Sequence, residues 1–494
     1  MKRFFAGVIC VHLVAAWFNG GFLNADEHYQ IIEFAQYKLG HQSPSALAWE
    51  FTARIRPALQ PWLAAGIIHL CRSLGATSPF LIAFVLRVLS TVLALWVSLE
   101  LCVRCLRSIE RQCIKVAALG ASFVLWIAPT VHSRFSSENW GAALLIGGVC
   151  LMLDTVEAWP GRRSKAVGLA VYTGLLWSAA FYCRFQIGVA IAGAGLWLLI
   201  VRRAPPALLG AIAASFVIGC GLNELVDRWL YDAWTLVPYN YFMVNLVNGR
   251  AALFGVSPWW MVAVYMAVIL VPPYSLGLLA ILAIGCWYAR RHALVWVTIP
   301  FVFVHAVVPH KEPRFLIPLL YLIGPLCAVC VDTLPRGLSA SLGAWLRTRW
   351  GRANVASWCA INVLLLTVAI VVPVNDTYRL DRWLWEHSRN GRITVYTVGL
   401  PPDHQSDTVT RSFYSSANVV LTPIEAADRA GAAFGQEPMF VYYRGVDVPA
   451  VVTAFGACEP VVRTFPVWLK AWLEHVKWLA DPDQSTICRL DARR

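Results

Sequence analysis

Residues 80–103, FLIAFVLRVLSTVLALWVSLELCV, form an apolar run whose only charged residues are Arg87 and Glu100. A helix needs about 20 apolar residues to cross the hydrocarbon core of a bilayer, so this run predicts a membrane-spanning helix. Ten further runs of similar character are found at 4–22, 114–131, 138–157, 166–183, 185–201, 206–222, 259–288, 293–309, 315–333 and 354–373.

The composition agrees with this prediction, because 58% of the 494 residues are hydrophobic and 14% are charged. Soluble domains average about 25% charged residues, which excludes an ordinary soluble enzyme, a disordered chain and a disulfide-stapled secreted domain. The net charge of +13 arises mainly from short basic clusters between apolar runs. That pattern is typical of membrane topology rather than nucleic-acid binding. No small-residue cleavage site follows Met1-Lys2-Arg3 before Asn24, which predicts an uncleaved first span.

The basic clusters also predict the topology. If the residues before the first span are cytoplasmic and the weaker run 58–74 is re-entrant or interfacial, every second loop is basic, as the positive-inside rule requires. We therefore expect an all-α polytopic module of about eleven transmembrane helices at 1–374, with membrane-embedded helices in its outer loop. The loops on the extracytoplasmic face are then 23–79, 132–137, the neighbourhood of Arg184, 223–258, 310–314 and everything after 374.

The composition changes near residue 375. Short β-type runs occur at 393–398, 419–422, 440–443 and 450–455, with helical stretches at 423–433 and 466–479. This pattern predicts a small extracytoplasmic α/β domain at 375–494. The last predicted helix carries Trp468, Trp472 and Trp478 on one side. This side suits either contact with the membrane interface or ordinary packing against the rest of the domain.

The 14 cysteines lie mostly in apolar runs, where they behave as small hydrophobic residues. No Cys-x-x-Cys pair has a partner at zinc-ligand spacing, and we expect no metal or other cofactor. Cys458 and Cys488 lie in the polar carboxy-terminal region and either form a disulfide, if that region is in an oxidising compartment, or remain free thiols.

Two polar stretches on the predicted outer face are candidates for chemistry. Asp26 and Glu27 follow the first span, where a carboxylate suits a general base toward a sugar hydroxyl or simply a helix start. His310-Lys311-Glu312-Pro313-Arg314-Phe315 joins two spans, where its cations suit a lipid phosphate or interfacial snorkelling.

Other charges and aromatic residues lie at the same face. Arg134 and Glu138 flank one span, and Arg184 interrupts the apolar run 166–201, where a charge is a functional candidate. The loop 227–234 with Asp227 and Trp234, continued by Asn240 and Asn245, suits either a sugar or an interfacial aromatic belt. The sequence has no Walker or glycine-rich nucleotide loop, so a lipid-linked donor is favoured over a nucleotide sugar.

These residues together resemble glycosyltransferase family 22, the polyprenyl-phosphate-mannose-dependent mannosyltransferases of GPI-anchor and N-glycan assembly. His310–Phe315 is similar to the family's H-K-E-x-R-F signature, and the chain resembles the branch that adds the third mannose of GPI anchors. Many eukaryotic members have Arg-Pro-Thr where this chain has Arg184-Phe185-Gln186, which favours a bacterial relative. The matching features are the Asp26-Glu27 pair, Trp49-Glu50-Phe51 to Arg54-Ile55-Arg56-Pro57, the 227–245 loop leading to Gly255 and Pro258-Trp259, and His310–Phe315.

The resemblance implies a GT-C bundle and an inverting α-mannosyltransferase. Asp26 would deprotonate the acceptor, with Glu27 as second candidate. The partners implied are a polyprenyl-phosphate sugar donor, a lipid-linked or glycan acceptor and membrane lipids, in the bacterial inner membrane or, for a eukaryotic chain, the endoplasmic reticulum. The donor phosphate would be bound by His310, Lys311, Arg314, Arg184 and Arg134, and the substrates also by Glu312, Glu138, Asp227, Trp234, Asn240 and Asn245.

Three alternatives remain open. The same bundle suits transfer of another polyprenyl-phosphate-linked sugar. A lipid transporter or flippase would usually have repeated halves and helices interrupted at the midplane, whereas this sequence has no internal repeat. A membrane scaffold with a partner-binding outer domain would need neither Asp26 and Glu27 nor the cluster around His310.

Overall fold

The structure, a computed structural model, describes residues 2–372, 375, 377–424, 439–445, 458–465, 469, 471 and 484–490. Helices predominate among these residues, and short 3-10 or π turns connect several of them. The α-helices are α1 Lys2–Phe18, α2 Ala25–Glu27, α3 Glu33–Lys38, α4 Trp49–Thr52, α5 Leu59–Ser73, α6 Pro79–Leu106, α7 Gln112–Phe123, α8 Ala128–His132, α9 Ser137–Ala158, α10 Arg163–Cys183, α11 Gly188–Leu196, α12 Pro206–Tyr231, α13 Val237–Phe242, α14 Met261–Ile269, α15 Ser275–Tyr288, α16 Ala293–Val307, α17 Ile317–Asp332, α18 Arg336–Arg347, α19 Arg349–Val371 and α20 Tyr378–His387.

Six of the described helices are long and apolar enough to cross a membrane, so the chain is a multi-pass membrane protein. Four shorter apolar helices coincide with other predicted spans, and the count of eleven therefore stays a prediction. The run 259–288 is divided into α14 and α15 at Pro272 and Pro273, because proline lacks the N–H that a continuous helix needs. The six helices are Pro79–Leu106, Ser137–Ala158, Arg163–Cys183, Pro206–Tyr231, Pro313–Asp332 and Arg349–Val371.

The chain forms two compact units. The first comprises residues 1–17, 50–63 and 86–371, and the second comprises 18–49, 64–85 and 372–494. The break at 372 lies close to the boundary expected at 374, and the second unit also takes in two amino-terminal segments.

The first unit is a helical bundle whose buried core is built from apolar side chains of many helices. Trp177 on α10 lies wholly inside it, against Gly148 of α9. At one end of the bundle, arginines of the predicted cytoplasmic loops bind carboxylates. Arg104 donates from Nε to Asp154 at 2.8 Å, and Arg107 pairs with Glu157 at 2.8 Å. These contacts join the end of α6 to the end of α9.

The second unit contains a five-stranded mixed sheet. Strand β1 pairs in parallel with β2 and β3, and β5 pairs antiparallel with β3 and β4. Leu380 and Leu384 of α20 pack on Val395, Tyr442 and Ile487 of the sheet. The strands are β1 Ile393–Thr397, β2 Val419–Pro423, β3 Met439–Tyr443, β4 Glu459–Arg463 and β5 Thr486–Leu490, in the spatial order β2-β1-β3-β5-β4.

Three predicted strands coincide with β1, β2 and β3, whereas β4 and β5 were not predicted. The structure joins Cys458 to Cys488 in a disulfide, with Cα atoms 5.7 Å apart. Of the two alternatives, disulfide or free thiols, the structure has the disulfide. The strand expected at 450–455, almost all of the helix expected at 423–433, and nearly all of the last helix with its three tryptophans lie outside the described residues.

Candidate functional site

Two arginines from different parts of the first unit converge on one buried carboxylate. Arg184, directly after α10, places Nη1 3.1 Å from Oε1 of Glu138 in the first turn of α9. Arg314, on the 308–316 loop before α17, places Nη1 3.7 Å from the same oxygen. Both guanidinium groups also lie over the Phe315 ring, at 5.0 and 5.5 Å. The sequence-predicted cations Arg184 and Arg314 thus meet in space.

The turn before α9 is held rigidly. The Ser136 hydroxyl accepts from the Asn139 N–H as the helix N-cap, and Glu138 in the first turn suits the positive end of the helix dipole. Asn139 donates to the carbonyl of Arg134 at 2.8 Å and accepts from the Tyr321 hydroxyl at 2.5 Å. Arg134 is 1% exposed, so this turn adds a third guanidinium, fully buried, to the same end of the bundle.

The loop 308–316 divides its polar groups between two tasks. Glu312 accepts two hydrogen bonds from Arg314, at 2.6 and 3.0 Å, and binds His310 Nε2 at 2.9 Å. Lys311 instead donates to the backbone carbonyls of Ser257 at 2.8 Å and Val308 at 2.6 Å. Its side chain is buried, which lowers the pKa of the ammonium. The structure therefore brings Arg314 and Glu312 to the arginine cluster and directs Lys311 to the backbone.

Two buried nitrogen atoms near this carboxylate, one on Arg184 and one on His305, form no hydrogen bond in the structure. Among the residues that the structure describes, Nε of Arg184 and Nε2 of His305 have no hydrogen-bond partner. His305 on α16 lies 6.4 Å from the Phe315 ring, between centroids. A buried polar atom without a partner costs about 1–3 kcal/mol, so both atoms are suited to an incoming polar ligand. His305 was not predicted, because a single histidine in an apolar run resembles a core residue.

Asp227 lies at the end of α12 and is fully buried. Its Oδ1 accepts from the Ala58 N–H at 2.6 Å, just before α5. Four residues later the Tyr231 hydroxyl donates to the Arg56 carbonyl at 2.7 Å. The structure thus directs Asp227 to the backbone of the 54–58 loop. A contact between Asp227 and the sugar stays a prediction. In this structure Asp227 binds the backbone of the loop.

The remaining residues of the 227–245 loop are more exposed. Trp234 is exposed, with the Arg228 guanidinium 4.5 Å from its ring centroid. Asn240 donates to the Arg54 carbonyl at 3.2 Å, and Asn245 donates to the Tyr241 carbonyl at 3.1 Å. The indole of Trp234 is therefore one of the exposed side chains of this loop that a ligand can reach.

Asp26 and Glu27 belong to the second unit. Asn24 caps their helix by accepting from the Asp26 N–H at 3.1 Å, and Gln30 donates to Oδ1 of Asp26 at 2.8 Å. Asp26 is half-buried and Glu27 is buried. A π-helical turn, His28–Ile32, follows directly, a feature that is frequent at functional sites.

His28, the first residue of this turn, forms a buried pair with Glu33, which directly follows the turn. Sequence analysis missed this pair. His28 Nε2 lies 2.7 Å from Oε1 of Glu33, whose Oε2 accepts from the Ser412 hydroxyl and N–H at 2.7 and 2.9 Å. Burial lowers the pKa of His28. Burial also raises the pKa of Glu33, but the hydrogen bonds from His28 and Ser412 outweigh this effect and hold it below its ordinary value. A neutral His28 therefore donates to an ionised Glu33.

No group of three or more histidine, cysteine, aspartate or glutamate side chains that suits a metal ion occurs in the part of the chain that the structure describes.

Comparison with known proteins places these features in a family. The model of the Alg9-like mannosyltransferase family matches residues 3–375. Human GPI alpha-1,2-mannosyltransferase 3 is 24% identical over 316 residues, which cover 62% of this chain and 52% of that protein. Mannosyltransferase APTG1 of Arabidopsis thaliana is 23% identical over 328 residues, 65% of this chain and 56% of that protein. The chain thus spans about half the length of these curated relatives.

The fold has a counterpart among solved structures. ArnT from Cupriavidus metallidurans, in the crystal structure bound to undecaprenyl phosphate, superposes with a TM-score of 0.55 at 12% identity, covering 99% of this chain and 97% of that one. The apo form of the same protein gives a TM-score of 0.54 at 13% identity. This likeness supports the GT-C fold. Because the family model covers most of the sequence, the chain belongs to the Alg9-like mannosyltransferase family.

Proposed function

We propose that the chain is an inverting glycosyltransferase that moves mannose from a polyprenyl-phosphate-linked donor to a lipid-linked or glycan acceptor on the extracytoplasmic face of a membrane. We place it in the bacterial inner membrane, as the Arg184-Phe185-Gln186 sequence favours. The names of the curated relatives, GPI mannosyltransferases, support the sugar, and the lipid phosphate bound by the ArnT neighbour supports the donor class.

The observation that carries this proposal is the convergence of Arg184 and Arg314 on Glu138. The buried Arg184 and the half-buried Arg314 share one carboxylate at 3.1 and 3.7 Å, and Arg134, four residues before Glu138, is buried. A planar guanidinium binds two phosphate oxygens at once. We infer that the donor phosphate lies against Arg184 and Arg314, and that Glu138 and Glu312 hold the two arginines in place when no donor is bound.

In the proposed reaction, Asp26 accepts the proton of the acceptor hydroxyl, whose oxygen forms a bond to the anomeric carbon of mannose. The bond from that carbon to the phosphate oxygen breaks on the opposite side, so the configuration inverts and the lipid phosphate leaves with the electron pair. Cations at the departing phosphate are most stabilising as its negative charge grows. Glu27 is the alternative base.

The other predicted site residues fall into two groups in this proposal. His310 and Lys311 add positive charge beside Arg314, although the Lys311 donors are engaged by backbone carbonyls. The exposed indole of Trp234 offers an apolar face to a sugar ring, and Asn240 and Asn245 lie on the same loop.

Binding of sugar-free polyprenyl phosphate to the purified protein tests the phosphate site. Arg314→Lys removes the planar fork but keeps the charge, and we expect it to weaken binding about tenfold, as we do for Arg184→Lys. The matched control is Arg107→Lys, which changes an exposed arginine–carboxylate pair at the other end of the bundle. If Arg314 only anchored its helix at the interface, Lys would snorkel equally well. Unchanged binding by Arg314→Lys and Arg184→Lys would therefore refute the phosphate site.

A further inference from the structure

The carboxy-terminal domain contacts the segment that carries Asp26 through residues that the family model does not cover. That model ends at residue 375, whereas these contacts come from residues 410–414, which we call the docking segment. The Ser412 N–H and hydroxyl donate to Oε2 of Glu33 at 2.9 and 2.7 Å, and the Phe413 N–H donates to Oε1 at 3.1 Å. The docking segment is therefore bound to a carboxylate from the amino-terminal part of the same unit.

Glu33 accepts hydrogen bonds on both of its oxygens from further side chains as well. Oε1 lies 2.7 Å from His28 Nε2, and Oε2 accepts from Gln42 at 3.2 Å. Gln42 also donates to the Thr410 carbonyl at 3.0 Å. Glu33 is 1% exposed, and a buried charge is stable only when donors of good geometry surround it. The position of the docking segment against this carboxylate is therefore closely defined.

The π turn that follows Asp26 connects it to Glu33. His28, the first residue of the turn, comes directly after the helix that carries Asp26, and Glu33 comes directly after the last residue of the turn. In the middle of the turn, Gln30 donates to Oδ1 of Asp26 at 2.8 Å. The His28 ring also stacks on Tyr414 of the docking segment, at 5.4 Å between centroids. The docking segment thus holds the turn, and the turn holds the Asp26 carboxylate.

This arrangement is more directional than packing alone requires. Apolar side chains would attach a loop to a helix without the desolvation cost of a buried charge, whereas the hydrogen bonds to Glu33 fix where the turn lies. A general base must lie within hydrogen-bond reach of the hydroxyl that it deprotonates. A misplacement of about 1 Å lowers turnover by up to about 10²-fold, so the position of this turn matters for Asp26.

We propose that Glu33 and the docking segment position Asp26 for proton transfer, which makes the carboxy-terminal domain part of the working enzyme. This rests on the proposed function, in which Asp26 is the general base. Glu33 is a positioning residue, because it acts through the turn and Gln30. A contact that only stabilised the fold would change the amount of folded protein and leave the turnover of each folded molecule unchanged.

Variants of Ser412 test the proposal in the purified full chain, assayed with polyprenyl-phosphate mannose and a lipid-linked glycan acceptor. Ser412→Ala removes one donor to Glu33 but keeps the backbone N–H, and we expect kcat to fall about tenfold. Ser412→Thr keeps both donors and should retain most of the turnover. The matched control is Ser415→Ala, because that hydroxyl donates to the Arg411 carbonyl instead; it should behave like wild type.

Two further measurements separate positioning from stability. Turnover is expressed per mole of bound sugar-free polyprenyl phosphate, whose proposed ligands Arg184 and Arg314 lie in the first unit, so unfolded protein is not counted. In the Asp26→Asn background, Ser412→Ala should lower kcat less than about twofold, because the base that it positions is already lost. A tenfold loss in both backgrounds would overturn the proposal.

Glu33→Gln removes the charge that the docking segment binds, and it should lower kcat by about 10²-fold. Unchanged kcat in both Glu33→Gln and Ser412→Ala would also overturn the proposal. If Asp26→Asn and Glu27→Gln each keep the kcat of wild type, the proposed base is wrong and this inference fails with it. Loss of transfer in Asp26→Asn, with normal kcat in the Glu33 and Ser412 variants, would remove only the inference.

Discussion

At the scale of single residues, the carboxylates differ in how deeply they are buried. Glu138 is buried and is approached by two guanidinium groups. Glu33 is buried and accepts from His28, Gln42 and the 412–413 backbone. Asp26, by contrast, is half-buried at a helix start, where it accepts from Gln30. The side chain of Asp26 is therefore accessible to a substrate hydroxyl.

Asp26→Asn should therefore lower kcat by about 10²–10⁴-fold, the usual cost of losing a general base. Asn keeps the size of the side chain and its oxygen acceptor for Gln30, so thermal stability and donor binding should stay near wild type. Glu27→Gln is the matched comparison, because it neutralises the adjacent carboxylate. If Glu27→Gln abolishes transfer while Asp26→Asn does not, the base is Glu27. If neither variant changes kcat, no base lies at this helix start.

Site residues could be predicted where the residue itself is unusual in its sequence context, and not where only a distant partner reveals its role. Arg184, Arg314 and Glu138 were recognisable because charges at the ends of apolar runs are unusual. His28 and Glu33 were not, because the decisive partner Ser412 is 379 residues away. For Lys311 the sequence was misleading in the other direction. Its motif predicts a phosphate ligand, whereas its ammonium donates to backbone carbonyls, and no sequence pattern reveals those contacts.

At the scale of elements, the last turn of α12 acts as a clamp on the loop before α5. Asp227 accepts a hydrogen bond from the Ala58 N–H, and the Tyr231 hydroxyl donates one to the Arg56 carbonyl. Arg56 in turn lies 3.6 Å from Glu50. Gln60 at the start of α5 donates to the Ser136 carbonyl at 3.2 Å, so the clamp positions this loop near the turn that precedes Glu138.

Asp227→Asn and Asp227→Ala separate this clamp from a direct contact with the sugar. Asn retains an oxygen for the Ala58 N–H, so we expect unfolding temperature and acceptor KM near wild type. Ala leaves that N–H buried without a partner, which should cost about 1–3 kcal/mol of stability. The measurement is thermal unfolding in detergent together with acceptor KM. An Asn variant of normal stability whose acceptor KM rises sharply would instead assign the Asp227 charge to substrate binding.

The His28–Glu33 pair should make the second unit sensitive to acid. Both groups have a lower pKa in the folded state than their ordinary values of 6.5 and 4.5, so the unfolded state binds more protons at low pH. Stability from His28 is then fully present above about pH 6.5 and declines below it, and that from Glu33 declines below about pH 4.5. Burial of His28 and the hydrogen bonds to Glu33 are the causes.

Hydrogen exchange of the Ser412 and Phe413 amides, which donate to Glu33, measures this effect after correction for the intrinsic pH dependence. Wild type should lose protection between pH 6.5 and 5. His28→Gln retains a donor but cannot be protonated, so its protection should be constant across that interval. A constant wild-type profile, or a variant that still shows the step, would contradict this account of the pair.

Element positions were largely predictable in the bundle and less so in the sheet. Apolar runs of helix length mark the bundle helices. The division of the run 259–288 at Pro272–Pro273 was not predicted, although the missing proline N–H explains it. Strands β4 and β5 escaped prediction because each mixes charged and apolar residues and is stabilised by partners on other strands.

At the scale of the whole molecule, the charge pattern makes a topology prediction. The carboxy-terminal region should lie outside the cytoplasm, since the positive-inside rule assigns the basic loops to the cytoplasm and an odd number of predicted spans separates that region from the amino terminus. A reporter that is active only in the cytoplasm, joined after Leu490, should be silent. The same reporter joined after Arg347, in a predicted cytoplasmic loop, is the positive control. Activity after Leu490 would place Asp26 and the 308–316 loop on the wrong side for a lumenal or periplasmic reaction.

The central claim is that this chain transfers mannose from a lipid phosphate with inversion. The most direct measurement incubates the purified full chain with β-linked polyprenyl-phosphate mannose and a lipid-linked glycan acceptor, and determines the anomeric configuration of the product by NMR. We predict α-linked mannose, formed without any nucleotide sugar and lost in the Asp26→Asn/Glu27→Gln variant. A β-linked product, or transfer only from a nucleotide sugar or from a polyprenyl phosphate that carries another sugar, would contradict it.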